Sequence, residues 1–132
     1  MGFELNQILN PVIKPAITRE QLQEYANASG DHNPIHLDEK FAKEGGFPSV
    51  IVHGMLSMAF MADCLAVNFP ASQYEVKRMK CRFRKVTYPG DVIRCEAKVK
   101  ALNPDGSMTV GLWTENQKSE ITTEGEAQIT IR

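Results

Sequence analysis

The sequence predicts an α+β domain in which an antiparallel sheet wraps around one long buried helix. Three observations predict it. From Gly54 to Asn68, apolar side chains surround a helical stretch that only Ser57, Asp63 and Asn68 interrupt, and a helix apolar all round is buried on most sides. After Pro70 the pattern becomes β: Tyr74–Thr87, Val92–Leu102, Ser107–Glu115 and Ile121–Ile131, separated by Pro89-Gly90-Asp91, Asn103-Pro104-Asp105-Gly106 and a polar turn near Gln117. Consecutive strands after one buried helix pack on it as an antiparallel sheet. Finally, 132 residues without a repeat or linker make a single domain, residues 1–132, long enough to bury a core.

The earlier elements follow in order. Asn10 to Ile17 carries two prolines, which suit an edge strand or extended arm. Thr18 is a good N-cap, Gln21 completes a capping box, and Leu22, Tyr25 and Ala26 have helical spacing, so a helix runs to about Ala28. Gly30 tolerates positive φ and lets the chain leave that helix. Asp38 caps a short helix to Glu44, which Gly45-Gly46 ends. Phe47-Pro48-Ser49 is a loop leading into Val50-Ile51-Val52.

Composition excludes several classes. A net charge of −1 argues against general nucleic-acid binding, and the composition is ordinary for a globular protein. The N-terminus lacks the basic-then-apolar order of a signal peptide, and no segment reaches the roughly 20 apolar residues of a membrane span. Cys64, Cys81 and Cys95 form no C-x-x-C pair, so neither a disulfide framework nor a zinc site is indicated. The expectation is a cytoplasmic protein without cofactor. Charge is segregated nevertheless: nine of the fifteen Lys and Arg residues lie between Lys77 and Lys100. Arg78, Lys80, Arg82 and Arg84 share one strand face, with Arg94, Lys98 and Lys100 on the next strand, and like charges on neighbouring strands repel. Such a surface is either a solvated face or a place for something anionic.

The most informative segment is Ser29-Gly30-Asp31-His32-Asn33-Pro34-Ile35-His36. Asp31 and Asn33 hydrogen-bond nearby amides in such turns, and Pro34 keeps Asn33 out of the α region. A carboxylate and an imidazole are thereby held on a rigid turn, where together they suit activation of a water. By itself the cluster is equally the ordinary chemistry of a helix C-cap and turn, with His36 bonded to backbone. Three histidines beside Asp31 and Asp38 show no metal-binding spacing: His-Glu-x-x-His is absent, and a proline separates His32 from His36. No metal is expected.

The run Tyr25-Ala26-Asn27-Ala28-Ser29-Gly30-Asp31-His32-Asn33-Pro34-Ile35-His36-Leu37-Asp38, followed by Val52-His53-Gly54-Met55-Leu56, resembles the signature of the MaoC-like dehydratases, the (R)-specific or type 2 enoyl-CoA hydratases. The resemblance is clear from about Thr18 to Met61. It implies a single hotdog fold and reversible syn addition of water to a trans-2-enoyl thioester. It further implies that Asp31 and His36 activate the water, that Asn33 supports them, and that Gly54 presents its N–H to the thioester oxygen. Gly54 suits that role by letting a carbonyl approach the backbone. Candidate substrate contacts are His53, Met55, Ser57, Ala62, Arg82 and Arg84. Of these, His53 orients or packs rather than acting as a second base, and Ala62 stands where some members carry a serine.

The implied partners are an acyl-CoA or acyl-carrier-protein thioester and, because a single hotdog leaves a sheet edge open, a second copy of the chain. Two rival readings remain at this point. A hotdog thioesterase would need a carboxylate on the central helix, where Asp63 is the candidate. A non-catalytic acyl-thioester-binding hotdog subunit would leave the Asp31/Asn33/His36 set unused.

Overall fold

The computed structural model describes residues 2–132. Its strands are β1 (Val12–Ile13), β2 (Tyr74–Phe83), β3 (Arg94–Leu102), β4 (Met108–Glu115) and β5 (Ile121–Ile131), and its helices α1 (Arg19–Ser29), α2 (Glu39–Glu44) and α3 (Gly54–Asn68). All pairings are antiparallel, in the order β1-β3-β4-β5-β2. The helix caps form as their sequences predict. Thr18 Oγ1 accepts from the Gln21 N–H at 3.0 Å, and Asp38 Oδ1 accepts from the Phe41 N–H at 3.2 Å; such caps contribute about 1 kcal/mol each.

One face of the sheet carries the core. Met61, Cys64 and Leu65 of α3 pack on Cys95, Ala97 and Val99 of β3, Val110 and Leu112 of β4, and Ala127 and Ile129 of β5. A second cluster, with Leu22, Ala42, Val52, Leu56, Phe60 and Ile93, seats α1 and α2 against the start of α3. The turn between α1 and α2 is therefore anchored at the N-terminal end of α3.

Three expectations are corrected. The strand expected over Tyr74–Thr87 leaves the sheet after Phe83, because Arg84 and Lys85 both direct their N–H groups at the Thr122 carbonyl. The Asn10–Ile17 arm does supply the expected edge strand, with two paired residues. Helix α3 is not covered all round: Met55 and Val67 are 57% and 56% exposed, and Ala59, Ala62 and Ala66 are exposed on the same side. Finally, β2 and β3 are not neighbours. They lie on opposite flanks of β4 and β5, so their basic rows do not repel directly. Strand β5 instead supplies Glu124 to Arg84, and Glu126 to Lys80 and Lys100. Two β5 carboxylates thus face three of the nine basic groups, while Arg78, Arg82 and Lys98 have no ion pair among the described residues.

Candidate active site

Backbone geometry builds the turn. Gly30 ends α1 at φ 81°, its N–H bonded to the Ala26 carbonyl, a conformation that strains any residue with a Cβ. Asp31 Oδ1 then accepts from the Asn33 N–H at 3.2 Å, and Asn33 Oδ1 accepts from the Ile35 N–H at 3.1 Å. Pro34 opens a single 3₁₀ turn that ends at His36. Asn33 thus supports the site by shaping the loop.

The segment before α3 fixes the histidines. Ile51 donates its N–H to the Ile35 carbonyl and accepts from His36 Nδ1 at 2.8 Å. Since a carbonyl only accepts, Nδ1 carries the proton, and the free nitrogen of neutral His36 is Nε2. That nitrogen faces Asp31 Oδ2 at 3.8 Å. Two acceptors at this separation cannot bond each other, but one water can donate a hydrogen to each.

His53 lies beneath this pair. Its ring stacks on His36 with centroids 3.9 Å apart, meets Tyr25 edge-on at 4.8 Å, and donates from Nε2 to the Asp31 carbonyl at 3.1 Å. Burial first of all, together with the adjacent His36, lowers its pKa, against the opposing pull of the Asp31 carbonyl; it is held neutral. With 1% of its surface exposed it cannot meet a substrate directly and acts as a positioning residue. The fold does bring donor atoms of Asp31, His36 and His53 within 4.8 Å of one another, which the spacing did not suggest.

A pocket of about 250 Å³ opens beside His36 and Gly54. Gly54 is the first residue of α3, so its N–H has no partner within the helix and sits at the positive end of the helix dipole. The site can therefore hold a water between two bases and an anionic oxygen at a helix N-terminus, side by side. A larger groove of about 630 Å³ runs over the opposite face of the sheet past Lys80, Arg82, Lys98 and Trp113. It contains neither Asp31, His36 nor Gly54, and ion pairs to Glu124 and Glu126 pave it. Of the two, the smaller pocket is the one that brings His36 and Gly54 together.

The MaoC like domain matches residues 4–122, nearly the whole chain. The chain belongs to that family. A 3-hydroxybutyryl-CoA dehydratase from Methylorubrum extorquens is 26% identical over 123 residues, which are 93% of this chain and 78% of the relative. A probable enoyl-CoA hydratase 2 from Dictyostelium discoideum is 33% identical over 94 residues, 70% of this chain but 31% of that longer protein. Among solved structures, the (R)-hydratase from A. caviae involved in PHA biosynthesis superposes with a TM-score of 0.89 at 27% identity, covering 98% of both chains. The R-hydratase PhaJ1 from Pseudomonas aeruginosa gives 0.88 at 29% identity, over 98% of this chain and 82% of that one. The sheet curled around α3 is thus the hotdog fold.

Within this MaoC-like domain, the turn and the helix start bring Asp31, Asn33, His36, His53 and Gly54 together. Ser57 lines the pocket, and Arg84 does so while paired with Glu124. Arg82 lies in the groove on the other sheet face, and Met55 and Ala62 point from the exposed side of α3. The position where some family members carry serine therefore does not line the pocket of this chain. Sequence reasoning missed Phe83, Lys85, Thr87 and Thr123, which complete the walls. One signal for them was present: threonines occupy two consecutive positions, Thr122 and Thr123, of an otherwise alternating strand.

Proposed function

We propose that this MaoC-like domain is an (R)-specific enoyl-thioester hydratase, adding water reversibly and syn to a trans-2-enoyl group carried on coenzyme A or an acyl carrier protein. The observation that carries the reading is the Asp31 Oδ2 to His36 Nε2 separation of 3.8 Å, with His36 lining the Gly54 pocket and Asp31, outside that lining, facing it across the gap. In this reading a water sits between them and donates to each. The thioester oxygen accepts the Gly54 N–H, and the α3 dipole stabilises the enolate as charge moves onto that oxygen. One base takes a proton as the hydroxyl adds at Cβ, and the pair returns a proton to Cα on the same face.

The reading includes a homodimer. Among the described residues strand β2 pairs only with β5, which leaves one edge open, and Met55, Ala59, Ala62 and Ala66 form an exposed apolar stripe on α3. Open edges and contiguous apolar stripes are the features that a second copy covers. The thioesterase alternative loses its candidate, since Asp63 is exposed, bonds Lys14 and does not line the pocket.

The test follows the conjugated enoyl absorbance of crotonyl-CoA, and of the same acyl group on an acyl carrier protein, with wild type and Asp31→Asn. Loss of the band in wild type alone, with (R)-product on chiral analysis, supports the reading. Release of free thiol without loss of the band overturns it.

A further inference from the structure

We infer that the pocket beside His36 and Gly54 takes a short acyl chain bearing an oxygen function, and that Ser57, Thr87 and Thr123 select it. This inference rests on the enoyl-thioester reading above and names the acyl class that the site prefers.

The three hydroxyl residues are 4%, 4% and 1% exposed, and all line the pocket. Elsewhere in the same strands, buried hydroxyls satisfy one another: Thr114 Oγ1 and Thr122 Oγ1 are 2.7 Å apart, and Thr122 also donates to the Thr114 carbonyl. By contrast, the Ser57, Thr87 and Thr123 hydroxyls make no hydrogen bond to another described residue; His53 Nδ1 is the one fully buried side-chain polar atom left unpaired among the described residues, so these three oxygens reach the open space of the pocket they line. Buried hydroxyls without protein partners are satisfied by water or by a ligand.

A plain hydrocarbon chain entering the pocket would displace that water and leave three hydroxyls unpaired, an unfavourable exchange. A chain carrying a hydroxyl, oxo or carboxylate oxygen replaces the water bond for bond. Such a difference between substrates is the kind that polar sites discriminate best.

Size and direction limit the ligand further. The volume of about 250 Å³ is that of roughly eight waters at about 30 Å³ each, which suits an acyl group of four or five carbons with its oxygen. A carrier is far larger and must stay connected to solvent, so the enclosed portion is the free end of the acyl chain. Ser57 lies one helical turn inward from Gly54, where an oxygen beyond Cβ arrives once the thioester carbonyl rests on the Gly54 N–H. Phe83 lines the pocket with its ring against Gly54 and takes up space that a longer chain would need.

The experiment has two arms. Turnover is measured with crotonyl-CoA, trans-2-octenoyl-CoA and 4-hydroxycrotonyl-CoA, using wild type, Thr123→Val, Thr87→Val and Ser57→Ala. Calorimetry with butyryl-CoA and 4-hydroxybutyryl-CoA reports binding without chemistry. Wild type is expected to favour the hydroxylated member of each pair by about tenfold or more, and each variant to lose most of that ratio, as removal of one hydrogen bond predicts. Thr→Val keeps shape, and melting temperatures confirm that the variants fold. Equal preference in wild type, a preference for the octenoyl chain, or uniform losses across all acyl groups would overturn the inference. Selective binding without turnover of any enoyl thioester would sink the hydratase reading and leave the pocket assignment standing; turnover without selectivity would do the reverse.

Discussion

The ring of Phe83 occupies the space that a side chain on residue 54 would need: a Cβ built on Gly54 would lie 3.0–3.3 Å from three of its ring carbons. The glycine at the start of α3 is thus required by an aromatic wall. This adds to the reason expected from sequence, freedom for a carbonyl to approach the backbone. Gly54→Ala should push the ring off the pocket and cost about 1–3 kcal/mol through overpacking. Phe83→Ala in the same chain should relieve most of that increment. A double-mutant cycle by urea unfolding measures it, and additive losses would show that the two residues do not interact.

Loss of the base should be read against the 3.8 Å gap. In Asp31→Asn the amide can donate directly towards His36 Nε2 and exclude the water. We expect kcat to fall by about 10²–10⁴, the usual worth of a general base, with the melting temperature little changed because the Asp31 side chain is half exposed. His36→Ala should lose as much activity and also stability, since its bond to the Ile51 carbonyl goes with it. Steady-state kinetics beside thermal unfolding separate the two cases.

His53 makes stability pH-dependent. Its folded pKa lies below the ordinary value of 6.5 because the ring is buried. Below that value the unfolded chain binds the proton more readily than the native one, so the contribution of neutral His53 is present above about pH 6.5 and is lost as pH falls through the lowered pKa. Melting temperature should drop between pH 7.5 and pH 5. The slope should flatten in His53→Gln, which does not titrate; an unchanged slope would locate the effect elsewhere.

The cysteines should differ in reactivity. Cys64 and Cys95 are fully buried, Cys64 Sγ donates to the Cys95 carbonyl at 3.8 Å, and the adjacent Cys64 thiol together with burial raises the Cys95 thiol far above its ordinary pKa. Cys81 is half-buried and is raised by burial alone. Thiolate, not thiol, is the nucleophile. Native alkylation should therefore modify Cys81 slowly, faster as pH rises, and leave the other two for the unfolded chain. Mass spectrometry of alkylated peptides counts them.

The proposed dimer predicts its own disruption. A charge on the exposed side of α3, as in Ala62→Glu, meets solvent in a single chain but an apolar partner in a pair. Sedimentation should then shift the variant towards monomer, whereas an unchanged molecular mass would remove this stripe from the interface.

Local chemistry was legible in the sequence. Gly30, Asn33 and Pro34 dictate a turn by their own backbone preferences, and Thr18 and Asp38 cap helices through hydrogen bonds three residues away. Such interactions need no distant partner, so the positions of Asp31 and His36 on a rigid loop, and of Gly54 at a helix start, follow from residue order alone. Tertiary structure decided whatever depends on two distant segments meeting. The alternating strand containing Arg82 and Arg84 did not disclose that β5 lies beside it with Glu124 and Glu126, because strand order is set by how the whole sheet packs on α3. Nor did periodicity show that Thr87 and Thr123, 36 positions apart in sequence, would face Ser57 across one pocket. A side chain's face can be read from its neighbours in the chain, but its partners depend on where the rest of the chain goes.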